Sequence, residues 1–444
     1  MIFLSEIITP NSRKYEQARQ EWNRSIQKYP CAIIYCENYK DISNAIHFAR
    51  KNSMPIRVRS GGHNYEGYSI DNGAIVIDIS KLNKIQIDYR KNTVTIQGGV
   101  NNTTLYNFIS SKGYPFPGGA CPTVGVSGYA LGGGWGYSCR YFGLGCDSLT
   151  EIKLINYKGC IITANKSINS DLFWACRGAG GGNFGVIVSL TFNLPPKVDK
   201  VTLFEIYYPN LSKSSQIKFF DTWQKWITTA DDKINMKGGL YNSKSEGIYI
   251  RCSGLFYGTP KELQVILKPF KDIKGGNISV DYLSFLAAMN KIGSSYPPYE
   301  HFKSTGRFVN RYYSLDEIEN LIDIINQERP LGSILTAVNI YGLGGKVSKV
   351  NKSSTAFYYR DARYIILIQS VWENNINKPE NVRWVDKNFK YLYSITNGSY
   401  VNFPYSPLHN YQHDYYGQNV NALQYVKCKY DPYNVFMFQQ GIKY

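Results

Sequence analysis

Glycine is crowded into three stretches of this 444-residue chain, at 60–67, 118–136 and 178–185. The middle stretch alone holds eight: Gly118, Gly119, Gly125, Gly128, Gly132, Gly133, Gly134 and Gly136. Glycine lets the backbone take positive φ and lets a ligand come up against amide N–H groups. One such loop reads as a tight turn, whereas three converging loops make a nest in which amide dipoles meet a phosphate. None fits G-x-x-x-x-G-K-[ST], and none fits strand–G-x-G-x-x-G–helix. Gly178-Ala-Gly180-Gly-Gly182-Asn comes near in composition but leads into a strand. A Rossmann dehydrogenase is disfavoured; a large nucleotide cofactor is not.

Strand and helix patterns alternate around these loops. Strands are expected at 32–35, 56–59 and 74–79, and a helix at 41–51 with Ile42, Ala45, Ile46 and Ala49 on one face. Segments 85–89 and 93–97 read as a hairpin turning at 90–92, and 103–112 as a helix stopped by Gly113 and Pro115. A second hairpin (152–156 with 161–163) and a strand at 185–192 precede Pro195-Pro196. From Val201 the pattern changes. Helices at 215–229, 261–271, 315–326 and 382–394 alternate with strands at 247–252, 334–340 and 364–371, a sheet covered by helices. A helix at 421–429 ends at Asp431-Pro432. The fold class is α+β.

Fifty basic against 33 acidic residues give +17, yet the lysines are scattered and no nucleic-acid-binding signature is present. The charge reads as a solvated surface or as mild steering of an anionic substrate, so no nucleic-acid partner is expected. Apolar runs fall short of the ~18 residues a membrane span needs. The opening Met1–Gln17 has no leader pattern, so a soluble cytoplasmic protein is expected. It is expected to be a monomer or small homo-oligomer. Nine cysteines, with no C-x-x-C pair, argue against a disulfide framework or a zinc site, and no metal is expected.

Ile56-Arg-Val-Arg-Ser-Gly-Gly-His63-Asn-Tyr-Glu-Gly67 is followed by Cys121-Pro-Thr-Val-Gly125, Leu131-Gly-Gly-Gly-Trp-Gly136 and Tyr141-Phe-Gly-Leu144. Asp171-Leu-Phe-Trp174, Gly182-Asn-Phe-Gly-Val186, Tyr400-Val-Asn402 and Lys429-Tyr-Asp-Pro432-Tyr-Asn434 continue the series. In this order the motifs resemble the berberine bridge enzyme-like flavoproteins of the vanillyl-alcohol oxidase superfamily. The resemblance implies a PCMH-type FAD-binding domain formed by 1–198 and a returning tail at 397–444, with a substrate domain at 199–396 inserted between them.

It also implies roles for residues. FAD would be bonded at two points, to His63 and to Cys121, 58 positions apart. Arg59, Ser60, Gly61, Gly62 and Asn64 of the first loop would bind it with Val124, Gly125, Gly128 and Gly133 of the second. Gly185 and Val186 would join them, and Tyr433 and Asn434 of the tail would help close the site. Two bonds raise the flavin potential and favour hydride abstraction. Val124 matches a position associated with oxygen access, which leans towards an oxidase using O2 and making hydrogen peroxide. An ordinary core valine is the plain alternative.

Hydride transfer from an alcohol needs a base for the hydroxyl proton. The family often takes a tyrosine from Tyr-x-Asn-Tyr, which here reads Tyr400-Val-Asn402-Phe403 and lacks the second tyrosine. Tyr400 is the expected base, Tyr405 the next candidate, Tyr65 a pocket residue, and Gln369 a residue facing the flavin. The expected reaction is oxidation of an alcohol, a sugar end or a secondary-metabolite hydroxyl. An amine- or phenol-oxidising dehydrogenase or cyclase, and a redox-silent flavin carrier, are the alternatives.

Overall fold

The computed structural model describes residues 5–444; residues 1–4, part of the segment read for a leader, lie outside it. Three sheets organise the chain. The first contains β1 (Glu6–Ile8), β2 (Ala32–Tyr35), β3 (Ile56–Arg59) and β4 (Ile75–Asp78) in the order β1-β2-β4-β3. β2 and β3 both run parallel to β4. The helix Tyr39–Lys51 makes the β2–β3 crossover and buries Ile42, Ala45, Ile46 and Ala49. Its start is a capping box between Asn38 and Asp41.

The second sheet is antiparallel: β5 (Ile85–Asp88), β6 (Thr93–Gln97), β7 (Leu149–Ile155), β8 (Ile161–Asn165) and β9 (Val186–Asn193), in the order β5-β6-β9-β7-β8. The β5–β6 hairpin turns through Asn92, whose φ of 51° suits asparagine. The glycine-rich stretches lie in the connections β3–β4, β6–β7 and β8–β9.

The third sheet takes eight strands from 201–372: β10 (Val201–Pro209), β11 (Ile234–Ser243), β12 (Gly247–Phe256), β13 (Asn277–Leu283), β14 (His301–Ser304), β15 (Arg307–Val309), β16 (Ser333–Gly342) and β17 (Tyr364–Trp372). Its order is β13-β10-β12-β11-β16-β17-β14, with β15 also on β17. Helices Lys213–Thr229 and Leu315–Asn326 bury Phe219, Phe220, Trp223, Ile318 and Leu321 in one core with Leu240, Val338, Ile340 and Ile366 of this sheet. The expected helix at 261–271 is instead two, Pro260–Ile266 and Lys268–Lys271, because Pro269 has no N–H to bond back across the join.

The last helix, Val420–Tyr430, brings the tail back to the first two sheets. Its Lys427 is fully buried and donates to Asn183 O (2.7 Å), Phe436 O (2.8 Å) and the Asp431 carboxylate (2.6 Å). Asp431 also accepts from the Val435 and Phe436 N–H groups, turning the chain so that Phe436 enters the core beside Ile34, Ile77 and Val188. No helix of the described residues is long and apolar enough to cross a membrane.

Candidate active site

A cavity of about 470 Å³ lies between the glycine loops, the tail and one face of the third sheet. Two loops meet backbone to backbone along it. A Cβ on Gly61 would sit 2.4 Å from Gly125 N, and one on Gly125 would sit 2.4 Å from Ser60 Oγ, so neither position tolerates a side chain. Gly128 differs: a Cβ there meets nothing within 4 Å and would project into the open space. Across from it, a Cβ on Gly181 would find Gly128 Cα at 3.7 Å. These glycines keep clear a slot that side chains would fill.

His63 and Cys121 line the same cavity. His63 Nε2 is 2.7 Å from Thr123 Oγ1, and Cys121 Sγ is 3.9 Å from that oxygen. Trp22 stacks on the imidazole at 5.1 Å. Withdrawal from water pushes His63 down to about 3, so the ring is neutral at neutral pH. Partial burial pushes the Cys121 thiol up, against hydrogen bonds from Thr123 and the charge of Lys237.

The third sheet supplies the other wall. Strand alternation and register put Lys237 of β11 opposite Tyr341 of β16, and Gln369 of β17 opposite Ala337. Lys237, Tyr241, Asn339, Tyr341 and Gln369 therefore share the face that lines the cavity. Lys237 Nζ donates to Tyr296 Oη (3.0 Å) and lies over the rings of Tyr296 and Tyr341. Asn339 donates to Gln369 Oε1 (3.1 Å) and accepts from Tyr241 Oη (2.9 Å).

Of the residues expected at the cofactor, Ser60, Gly61, Gly62, His63, Asn64, Cys121, Val124, Gly125, Gly128 and Gly185 line the cavity, as do Tyr65 and Gln369. Five do not. Arg59 points the other way, to Asp78 (2.6 Å), Glu21 (3.6 Å) and Ala18 O (2.8 Å), anchoring the loop from behind. Gly133 is shut in by Phe357, and Val186 belongs to the core with Ile155 and Val188. Tyr433 is 71% exposed and packs on Tyr157, while Asn434 holds the tail's turn at φ 49°. Phe436, Phe438 and Gln440 close the cavity in their place, because the Lys427–Asp431 turn carries them inward.

Tyr400 is also corrected. It touches the cavity, but its oxygen accepts the N–H groups of Gly134 (2.9 Å) and Trp135 (3.1 Å) and the amide of Asn402 (3.1 Å). Burial raises its pKa above the phenol range, and these three donors offset that only in part. Its hydroxyl staples the glycine loop and is not free for substrate. Trp22, Lys237, Glu300 and Tyr341 also line the cavity, and no motif had singled them out as its walls.

Comparison with known proteins gives the geometry its context. The FAD binding domain model matches residues 30–165, and the berberine and berberine-like model matches 399–443. An uncharacterised FAD-linked oxidoreductase of Bacillus subtilis (strain 168), YgaK, is 33% identical over 446 residues, covering 98% of this chain and 96% of its own. The chain is a berberine bridge enzyme-like FAD-linked oxidoreductase. The carbohydrate oxidase of Microdochium nivale is 26% identical, covering 98% of this chain and 92% of its own. The structure of Physcomitrella patens BBE-like 1 superposes with a TM-score of 0.91 at 26% identity, covering 99% of this chain and 97% of that one. FAD, the cofactor of berberine bridge enzyme-like proteins, fits the slot that Gly128 and Gly181 keep clear between the tail and the His63 loop.

Proposed function

We propose that this enzyme is an oxidase whose FAD is bonded to both His63 and Cys121 and which oxidises an alcohol, either a sugar end or a secondary-metabolite hydroxyl, with O2 as final acceptor. Residues 1–198 and 397–444 form the cofactor domain and 199–396 the substrate domain. The observation that carries this reading is the convergence of His63 and Cys121 on the one hydroxyl of Thr123.

Bound FAD supplies a two-electron acceptor. The protein supplies the rest. His63, neutral and with Nε2 held by Thr123, has Nδ1 left to form a bond. Cys121 is a thiol at rest and would hold FAD through Sγ. Tyr241, Tyr296, Tyr341, Asn339 and Gln369 offer aromatic faces beside hydroxyl and amide groups, a lining suited to a ring rich in hydroxyls. Val124 lies on the cavity wall, and its short side chain supports the O2 reading.

Acid precipitation should leave the yellow colour in the pellet for wild type, His63→Ala and Cys121→Ala. The double variant should release it. FAD in the wild-type supernatant would refute the tethers. Sugars and alcohols should bleach the flavin without air, and admitting air should restore it with hydrogen peroxide; a flavin bleached only by amines would refute the substrate class.

A further inference from the structure

The oxidase reading needs a group to take the substrate's hydroxyl proton, and neither the family's second motif tyrosine nor Tyr400 supplies it. Position 403 is phenylalanine, stacked on Tyr65 at 5.1 Å and 9°. Tyr400 is saturated by three N–H donors, and Gln369 cannot titrate. Burial drives the Tyr65 and Tyr341 phenols above their ordinary range. Among the residues lining the cavity, Glu300 is the one carboxylate.

Its backbone is firmly placed. Glu300 N–H donates to Trp22 O (3.2 Å), and Arg24 N–H donates to Glu300 O (2.7 Å). Asn23, between them, donates to Tyr65 O (3.0 Å) and Phe302 O (3.1 Å). Segment 22–24 thus joins Glu300 to the loop of His63 and Tyr65. The carboxylate feels the charge of Lys237, and its own charge acts on Tyr65, Tyr341 and Cys121 across the cavity.

We infer that Glu300 is the catalytic base of this enzyme, accepting the substrate's hydroxyl proton. The inference rests on the oxidase reading above. The substrate O–H bond breaks and its proton passes to a Glu300 carboxylate oxygen. The C–H bond on the same carbon breaks with its electron pair leaving as hydride to FAD, and the oxygen's pair closes the C=O bond. The substrate loses two electrons and two hydrogens. Burial, only partly offset by Lys237, pushes Glu300 up to about 7, so the base form is lost as pH falls through neutrality.

Stopped-flow reduction of the holoenzyme by a panel of sugars and alcohols tests this. The wild-type rate should rise with pH through about 7. Glu300→Gln should keep its flavin, reduce ~10²–10⁴-fold more slowly and lose that limb. Glu300→Asp should retain the limb at an intermediate rate. Infrared titration of the holoenzyme should show a protonated carboxyl band that disappears over the same range and is missing from Glu300→Gln. A wild-type rate, or an unchanged limb, in Glu300→Gln overturns the assignment. Wild type that nothing in the panel bleaches overturns the oxidase reading with it, and is recognised because wild type and variant fail alike.

Discussion

The imidazole of His63 lies stacked on the indole of Trp22, ring centroids 5.1 Å apart and planes 25° from parallel. The stack and the Thr123 contact keep the ring out of bulk water, and its pKa falls to about 3. Attachment of FAD through this residue, followed in Cys121→Ala apoprotein, should therefore run at nearly equal rates at pH 5.5 and 7.5. An imidazole titrating near its usual ~6.5 would lose about tenfold over that interval, and such a loss would refute the neutral-ring assignment.

Val124 lines the cavity beside Cys121. Substrate-reduced enzyme should reoxidise in air within seconds, and Val124→Leu should slow this by roughly tenfold, equivalent to about 1.4 kcal/mol on the barrier. Oxygen stopped-flow at fixed substrate separates this from any change in the reductive step. Equal reoxidation rates in the two proteins would discard Val124 as the oxygen gate.

Tyr400→Phe removes the acceptor for Gly134 N–H, Trp135 N–H and Asn402. Buried donors left without partners cost ~1–3 kcal/mol, which should appear as a lower denaturant midpoint. Flavin reduction should change by less than ~10-fold, and a loss beyond ~100-fold would return Tyr400 to the role of base.

Lys427 and Asp431 are 1% and 0% exposed, so breaking the pair strands a buried charge. Asp431→Ala should cost about 3–5 kcal/mol in chemical denaturation. It should also loosen the Phe436–Gln440 segment that closes the cavity, read as faster proteolysis of the tail. A midpoint shift below ~1 kcal/mol would mean that the tail is held by its apolar contacts alone.

Local pattern carried the fold a long way where the signal is short-range. The helix Tyr39–Lys51 follows from its apolar face to within two residues at its start, and the β5–β6 hairpin from its turn. Helix Lys213–Thr229 was legible to within two residues at its start. β11, Ile-Asn-Met-Lys-Gly-Gly-Leu-Tyr-Asn-Ser, was not legible, because Gly238, Gly239 and two asparagines give it little strand preference. Its pairing with β12 and β16 makes it a strand.

The site divides along the same line. His63, Cys121 and the glycines are written into contiguous motifs, since a tight loop and a close backbone approach demand particular residues at fixed spacing. Arg59 and Asn434 sit inside those motifs, yet they serve the loop and the turn, and only side-chain direction could reveal it. Glu300 meets the His63 loop through Trp22, and Lys237 meets Tyr341 through cross-strand register. Those contacts span hundred-residue separations, where no local periodicity reaches. The sequence by itself determined the glycine loops and the spacing of His63 and Cys121 within them. Tertiary structure alone decided which charged groups line the cavity, because that depends on how distant strands align and what burial does to a carboxylate.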